Sequence, residues 1–154
     1  MNARPLRVLM VCLGNICRSP MAEAVFRHHV ERSDLADRIE VASAGTGNWH
    51  AGERPHEGTR RTLARHGLSL DGKRAQGLDA VDVDAYDYVV AMDRANARDV
   101  GPRALLLLDF ATPRPLDPDV PDPYYSGAFE EVYDLVDAAC PGLLDHIVRE
   151  RCLA

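Results

Sequence analysis

The 154-residue chain has no run approaching the ~20 consecutive apolar residues that a membrane-spanning helix needs. Its start, MNARPLRVLMVCLG, carries charges but no long apolar run ending at a small-residue cleavage site, so a strand rather than a secretory leader is expected there. Cysteine is scarce. Cys12, Cys17, Cys140 and Cys152 form no CxxC pair and no Cys/His set at zinc spacing, so neither a disulfide framework nor a metal site is indicated. A reducing, cytoplasmic setting is expected. The chain is also poor in positive charge. A net charge of -6 and a pI near 5.4 argue against a nucleic-acid binder, whose affinity for the phosphate backbone depends on many clustered Lys and Arg. No repeat, low-complexity tract or linker divides it, and one domain spanning residues 1–154 is expected.

What charge there is sits unevenly. Met1 to Leu78 carries 12 basic and 8 acidic residues, whereas Asp79 to Ala154 carries 6 and 16. A small anion held by the N-terminal half fits this asymmetry. Hydrophobic residues make up 46% of the chain, enough for an ordinary core. Arg7 to Cys12, Ile39 to Ala42, Tyr86 to Met92 and Ala104 to Leu108 read as strands, the last two apolar enough to be buried on both faces of a sheet. Between them, Ser19-Pro20 reads as an N-cap and first helical position, with Glu23 in the first turn. A short helix runs to His66 with Gly67 as its stop, and Asp93 caps a third. Five prolines between Asp109 and Pro123 dictate an extended loop, and two helical segments follow, broken near Cys140-Pro141-Gly142. Strands alternating with helices predict an α/β fold, a four-stranded parallel sheet with helices on both faces. Ligands in such sheets lie beyond the carboxyl ends of the strands.

The segment at that place is Cys12-Leu13-Gly14-Asn15-Ile16-Cys17-Arg18-Ser19-Pro20. Backbone N–H groups of Leu13, Gly14, Asn15, Ile16 and Cys17, with the positive end of the following helix, form a cradle for a tetrahedral oxyanion. Gly14 permits a positive φ, and Asn15 is the non-Gly residue that best tolerates one. Arg18 supplies a guanidinium fork that grips two phosphoryl oxygens at once. The same positive field favours the thiolate of Cys12, and Ser19 can donate its hydroxyl to that sulfur. A thiolate facing an anion cradle points to attack on phosphorus through a cysteinyl-phosphate. An acid is then needed for the departing oxygen, and Asp122, between Pro121 and Pro123, is the candidate. The prolines remove two donors from its surroundings, and a bound anion favours the protonated carboxyl. A turn aspartate is the plainer explanation of the same residue. Trp49, in a polar Gly-rich loop, reads as a pocket wall. Cys17 reads as a loop-filling residue or a resolving thiol for oxidised Cys12, and Cys140 and Cys152 as packing.

CLGNICRSP after the first strand, SAGTGNW after the second, MDRAN after the third and VPDPYYSGAFEEVYDLV near the end resemble the low-molecular-weight protein tyrosine phosphatases over nearly the whole chain. The resemblance implies a flavodoxin-like sheet of order 2-1-3-4 and a cytoplasmic protein tyrosine phosphatase without metal or organic cofactor. Its substrate would be a phosphotyrosine-containing protein, and neither nucleic acid nor membrane is an implied partner. It assigns Cys12 as nucleophile, Arg18 as phosphate clamp and Asp122 as general acid. Asn15, Ser19 and Ser43 resemble the loop's hydrogen-bonding support, and Leu13, Ile16, Trp49, Tyr124 and Tyr125 the walls of the aromatic pocket.

Three positions depart from the family pattern: His56 and Gly58, where Asp and Arg are common, and Lys73, near which a His is common. In the related protein arginine phosphatases a Thr resembles the position of Ile16, which favours phosphotyrosine. Two other functions share the anion loop. Arsenate reductases add redox cysteines downstream, for which Cys140 and Cys152 make no convincing pair, and a non-catalytic phosphopeptide-binding module would need neither Cys12 nor Asp122.

Overall fold

A computed structural model describes residues 4–153; Met1 to Ala3 and Ala154, which the single-domain reading includes, lie outside the described residues. Four parallel strands form one sheet in the order β2-β1-β3-β4: β1 (Leu6–Cys12), β2 (Ile39–Gly45), β3 (Tyr88–Ala91) and β4 (Leu105–Leu106). Among the described residues the α-helices are α1 (Arg18–Arg32), α2 (Glu57–Arg65), α3 (Arg94–Val100), α4 (Pro123–Ser126) and α5 (Phe129–Arg151). This is the flavodoxin-like arrangement expected, and its centre is β1, paired with strands on both sides.

Alternation along β1 divides the core. Val8, Met10 and Cys12 point to the face covered by α1 and α5, where Met21, Val25, Phe26, Val136, Leu143 and Ile147 complete the larger cluster. Leu9 and Val11 point to the opposite face, against Ala44, Tyr86, Val89 and Val100 at the end of α3. Cys12 is the last residue of the central strand, opposite Gly45 of β2. The sheet therefore delivers its sulfur to the ligand edge.

Three local expectations are corrected. The chain does not break at Pro141: α5 runs through it for 23 residues. A proline removes one helical hydrogen bond, but Val132, Val136, Cys140, Leu143 and Ile147, on both sides of it, are fully buried along one face, and packing outweighs the local defect. Gly142 helps by letting α5 approach the Phe110 carbonyl oxygen, which a Cβ would meet at 2.0 Å. The strand expected over Ala104 to Leu108 keeps ladder pairing only at Leu105 and Leu106, and then tightens into a 3-10 turn, Leu107–Phe110. Finally, α1 starts at Arg18, with Cys17 rather than Ser19 at the N-cap. The Ser19 hydroxyl is engaged elsewhere, and Glu23 falls in the second turn.

Candidate active site

Between the end of β1 and the start of α1 the loop curls around its own amide groups. Asn15 is the residue in the left-handed region, at φ 59°, and Gly14 is not. Gly14 serves instead by having no side chain: a Cβ there would lie 2.9 Å from the His50 ring. Asn15 is fully buried and anchored through three hydrogen bonds. Its Nδ2 donates to Ser19 Oγ (2.9 Å) and Ser43 Oγ (2.9 Å), and its Oδ1 accepts from the Gln76 amide (3.0 Å). Ser19 Oγ, having accepted from Asn15, lies 3.0 Å from Cys12 Sγ, the nearest acceptor for its proton.

This chain of donors extends away from the sulfur. Ser43 Oγ donates to Glu23 Oε1 (2.5 Å), and Glu23 pairs with Lys73 Nζ (3.3 Å) and Arg27 (2.7 Å). Lys73 Nζ also donates to the Ser43 carbonyl (2.9 Å). Lys73 therefore ties the Ser43 carbonyl to Glu23. His56 likewise does a carboxylate's work, its Nδ1 accepting from the Gly58 amide (2.9 Å) as N-cap of α2. The missing side chain at Gly58 is what admits the Phe129 ring, 2.3 Å from a would-be Cβ, to stack on the His56 ring at 5.0 Å.

Arg18 is buried at the first position of α1. Its Nη1 donates to Asp93 Oδ2 (2.6 Å) and to the Val120 carbonyl (3.0 Å), and Nη2 lies 3.8 Å from Asp122 Oδ2. Among the described residues no hydrogen bond engages Nε or Nη2, so the edge that could fork an anion stays available. Burial opposes the guanidinium charge, but the negative charges of Cys12, Asp93 and Asp122 more than offset it and hold its pKa above the ordinary value. Asp93 does two jobs, capping α3 through Oδ1 on the Asn96 amide (2.7 Å) and fixing Arg18 through Oδ2.

Asp122 is both a turn residue and a site residue. Its Oδ1 accepts from the Tyr124 amide (3.0 Å) as N-cap of α4, so the flanking prolines do not leave the carboxylate without a backbone donor. Its other oxygen faces Arg18. Cys12, Leu13, Gly14, Ile16, Cys17, Arg18, Trp49, His50, Asp122, Tyr124 and Tyr125 line one cavity of about 250 Å³. Trp49 and Tyr125 are exposed, at 61% and 84%, so two walls of this cavity project into solvent. Ser19 and Ser43 lie behind it as support. Cys17 is pushed up to about 12 by burial and by the negative charges of Cys12 and Asp122, and remains a thiol. Cys140 is fully buried in α5, its thiol raised well above the usual range by that burial, and Cys152 is exposed at the far end of α5.

A sequence model of the low molecular weight phosphotyrosine protein phosphatases matches residues 7–152. The chain belongs to that family. It is 46% identical to the low molecular weight protein-tyrosine-phosphatase YfkJ of Bacillus subtilis, over 96% of this chain and 99% of that protein. Against PtpA of Staphylococcus aureus, named in the same way, identity is 44% over 93% of this chain and 94% of the relative. The crystal structure of YfkJ superposes with a TM-score of 0.91 at 43% identity, covering 97% of this chain and 99% of that one. A protein tyrosine phosphatase from Entamoeba histolytica follows at 0.87 and 31% identity, over 95% and 99% of the two chains.

Sequence reasoning missed Asp93 as a site residue, reading only its cap, and missed Val120, Glu23, Gln76 and His50. Asp93 was accessible in principle, since it follows directly after the carboxyl end of β3, where ligand-facing groups in such sheets gather. The others meet Arg18, Asn15, Ser43 or Gly14 across long sequence separations, and no local pattern marks them.

Proposed function

We propose that this family member hydrolyses protein phosphotyrosine in two displacements through a phosphoryl group carried on Cys12. The observation that supports this most is the convergence of a buried thiol, a fixed guanidinium and a carboxyl on one cavity, with Ser19 Oγ 3.0 Å from the sulfur. The phosphoryl group would sit on the loop amides at the N-terminus of α1, with two oxygens on the Arg18 fork. Cys12 Sγ attacks phosphorus as the P–O bond to the ring breaks, and Asp122 gives its proton to the departing tyrosine oxygen. In the second step Asp122 takes a proton from water, the water oxygen bonds to phosphorus, and the S–P bond breaks. The sulfur leaves as a thiolate that the Ser19 hydroxyl stabilises. Neither step calls for a metal or organic cofactor.

Leu13, Ile16, Trp49, Tyr124 and Tyr125 give the cavity apolar and aromatic walls suited to an aryl ring, and Ile16 offers no hydrogen-bonding group to a guanidinium. Cys17, kept protonated, is not a competing nucleophile. We read residues 1–154 as one domain and the cytoplasm as its site of action. No described helix is long and apolar enough to cross a membrane, and all four cysteines are free. Purified protein is expected to release phosphate from a phosphotyrosine peptide at least tenfold faster (about 1.4 kcal/mol) than from matched phosphoserine and phosphoarginine peptides. Binding without release, a preference for phosphoarginine, or thiol-coupled arsenate reduction outpacing phosphatase turnover would each overturn the reading.

A further inference from the structure

Beside the phosphate loop lies a second, larger concavity of about 410 Å³ that the proposed chemistry does not use. Arg54, Arg60, Arg61, Lys73 and Arg74 line it, with Asp71 as the one acidic residue, on a chain whose net charge is -6. Two of these cations are committed, Arg61 to Glu57 (2.7 Å) and Lys73 to Glu23 (3.3 Å). Arg54, Arg60 and Arg74 have no carboxylate within ion-pair distance among the described residues; Arg60 uses Nε on the Pro55 carbonyl (2.9 Å), which holds its fork in place. The floor between them is apolar: Leu63, Ala64, Leu68 and Leu70.

The two linings share no residue, but chain neighbours of the groove's lining touch the phosphate loop. Arg54 and Arg74 sit next to a pair of strand-like hydrogen bonds, Gly52 N–H to the Ala75 carbonyl and Ala75 N–H to the Glu53 carbonyl, both 2.8 Å. Ala75, adjoining Arg74, packs against Ile16 and Cys17 of the phosphate loop. The His56 amide, one residue past Pro55, donates to the Ile16 carbonyl (2.7 Å). Glu53, the acidic residue between groove and mouth, is engaged by His50 Nδ1 at 2.9 Å. A cationic rim over an aliphatic floor is complementary to an acidic peptide segment that carries an apolar side chain, rather than to a compact anion, which would leave the floor uncovered.

We infer that this groove docks an acidic stretch of the protein substrate flanking its phosphotyrosine, so that Arg54, Arg60 and Arg74 select acidic phosphoproteins. The inference rests on the phosphotyrosine reading of the neighbouring cavity. The contacts are exposed ion pairs, individually weak and screened by salt, so a preference of about tenfold from several together is expected at low ionic strength and little at 0.5 M salt, where the screening length is well under ~10 Å.

The test is the ratio of kcat/KM for a peptide with Glu and Leu residues flanking phosphotyrosine to that for the same peptide with Gln in place of Glu, made with the flank on either side. A variant that merely weakens the fold lowers both values and leaves the ratio where it was. Wild type is expected to show a ratio of about ten for one flank, carried by KM, and the R54E/R74E double variant a ratio near or below one. A wild-type ratio of one for both flanks, or a ratio that survives the double charge reversal, overturns the groove's role. Failure of wild type to hydrolyse p-nitrophenyl phosphate would instead sink the catalytic reading, so the two failures are distinguishable.

Discussion

Replacing Asp122 with Asn separates its chemical role from its structural one. The side-chain oxygen that accepts from the Tyr124 amide at 3.0 Å survives in Asn, and Asn caps helices as well as Asp, so α4 and the Tyr124-Tyr125 wall should stay in place. What disappears is the proton. Positioned general acids contribute roughly 10²–10⁴-fold where a leaving oxygen needs protonation. A tyrosine oxygen, whose pKa in water is about 10, needs it; a nitrophenolate, far more stable as an anion, hardly does. In a series of aryl phosphates, wild-type kcat/KM should depend weakly on leaving-group acidity. Asp122→Asn should fall only a few-fold for p-nitrophenyl phosphate and by about 10²–10³ for phosphotyrosine, so the plot steepens. The Asp122→Ala variant loses the cap as well. It should show the same kinetic pattern and in addition lose about 1 kcal/mol of stability, lowering Tm by roughly 2–4 °C. An equal loss across the leaving-group series in Asp122→Asn would refute the acid assignment and leave the residue as a cap alone.

Other consequences are as direct. Lys73→Met strips a nearly buried partner from Glu23 and leaves the Ser43 carbonyl with Gln76 Nε2 (3.1 Å) as its one side-chain donor, which should cost about 2 kcal/mol or more in urea unfolding and reduce aryl phosphate turnover through Asn15; Lys73→His should recover most of both, and equal damage in the two variants would argue against a positioning role. Gly142→Ala gains up to ~1 kcal/mol of helix propensity but drives a Cβ to within 2.0 Å of the Phe110 carbonyl oxygen, so a net loss of about 1–3 kcal/mol is expected by thermal melting. Asp87 is held below the usual carboxylate range: burial opposes this, but the Arg7 amide at 2.9 Å and the Arg4 fork prevail. A depressed carboxyl adds stability above its unfolded pKa of about 3.9 and loses it as pH falls through the folded value, so Tm should drop in acid and Asp87→Asn should flatten that drop.

Much of this molecule is written locally. The buried runs at Val8 to Val11 and Tyr88 to Ala91, the Ser-Pro segment after the loop and the proline-dense stretch before Asp122 place a thiol at the ligand edge of a parallel sheet without reference to any partner. Cys12, Arg18 and Asp122, though 110 residues apart at the extremes, were legible because each sits in a segment with its own backbone signature. Other features depend on neighbours that no local window contains. Pro141 stays helical because α5 is buried on both sides of it, and Ser19 forgoes capping because Asn15 and Cys12 claim its hydroxyl. Glu23 reads as a first-turn acid and is in fact the hub between Ser43, Lys73 and Arg27. His56 as cap of α2 and Lys73 as donor to the Ser43 carbonyl find roles that are visible only once Phe129 and Ser43 are beside them.

The atom that receives the phosphoryl group decides the chemistry. Wild-type protein mixed with p-nitrophenyl phosphate, quenched in acid within the first turnover and digested should yield phosphate on the peptide bearing Cys12, at a level matching the burst of nitrophenol. The Cys12→Ser protein should show neither. Phosphate on a different residue, or full turnover by Cys12→Ser, would contradict it.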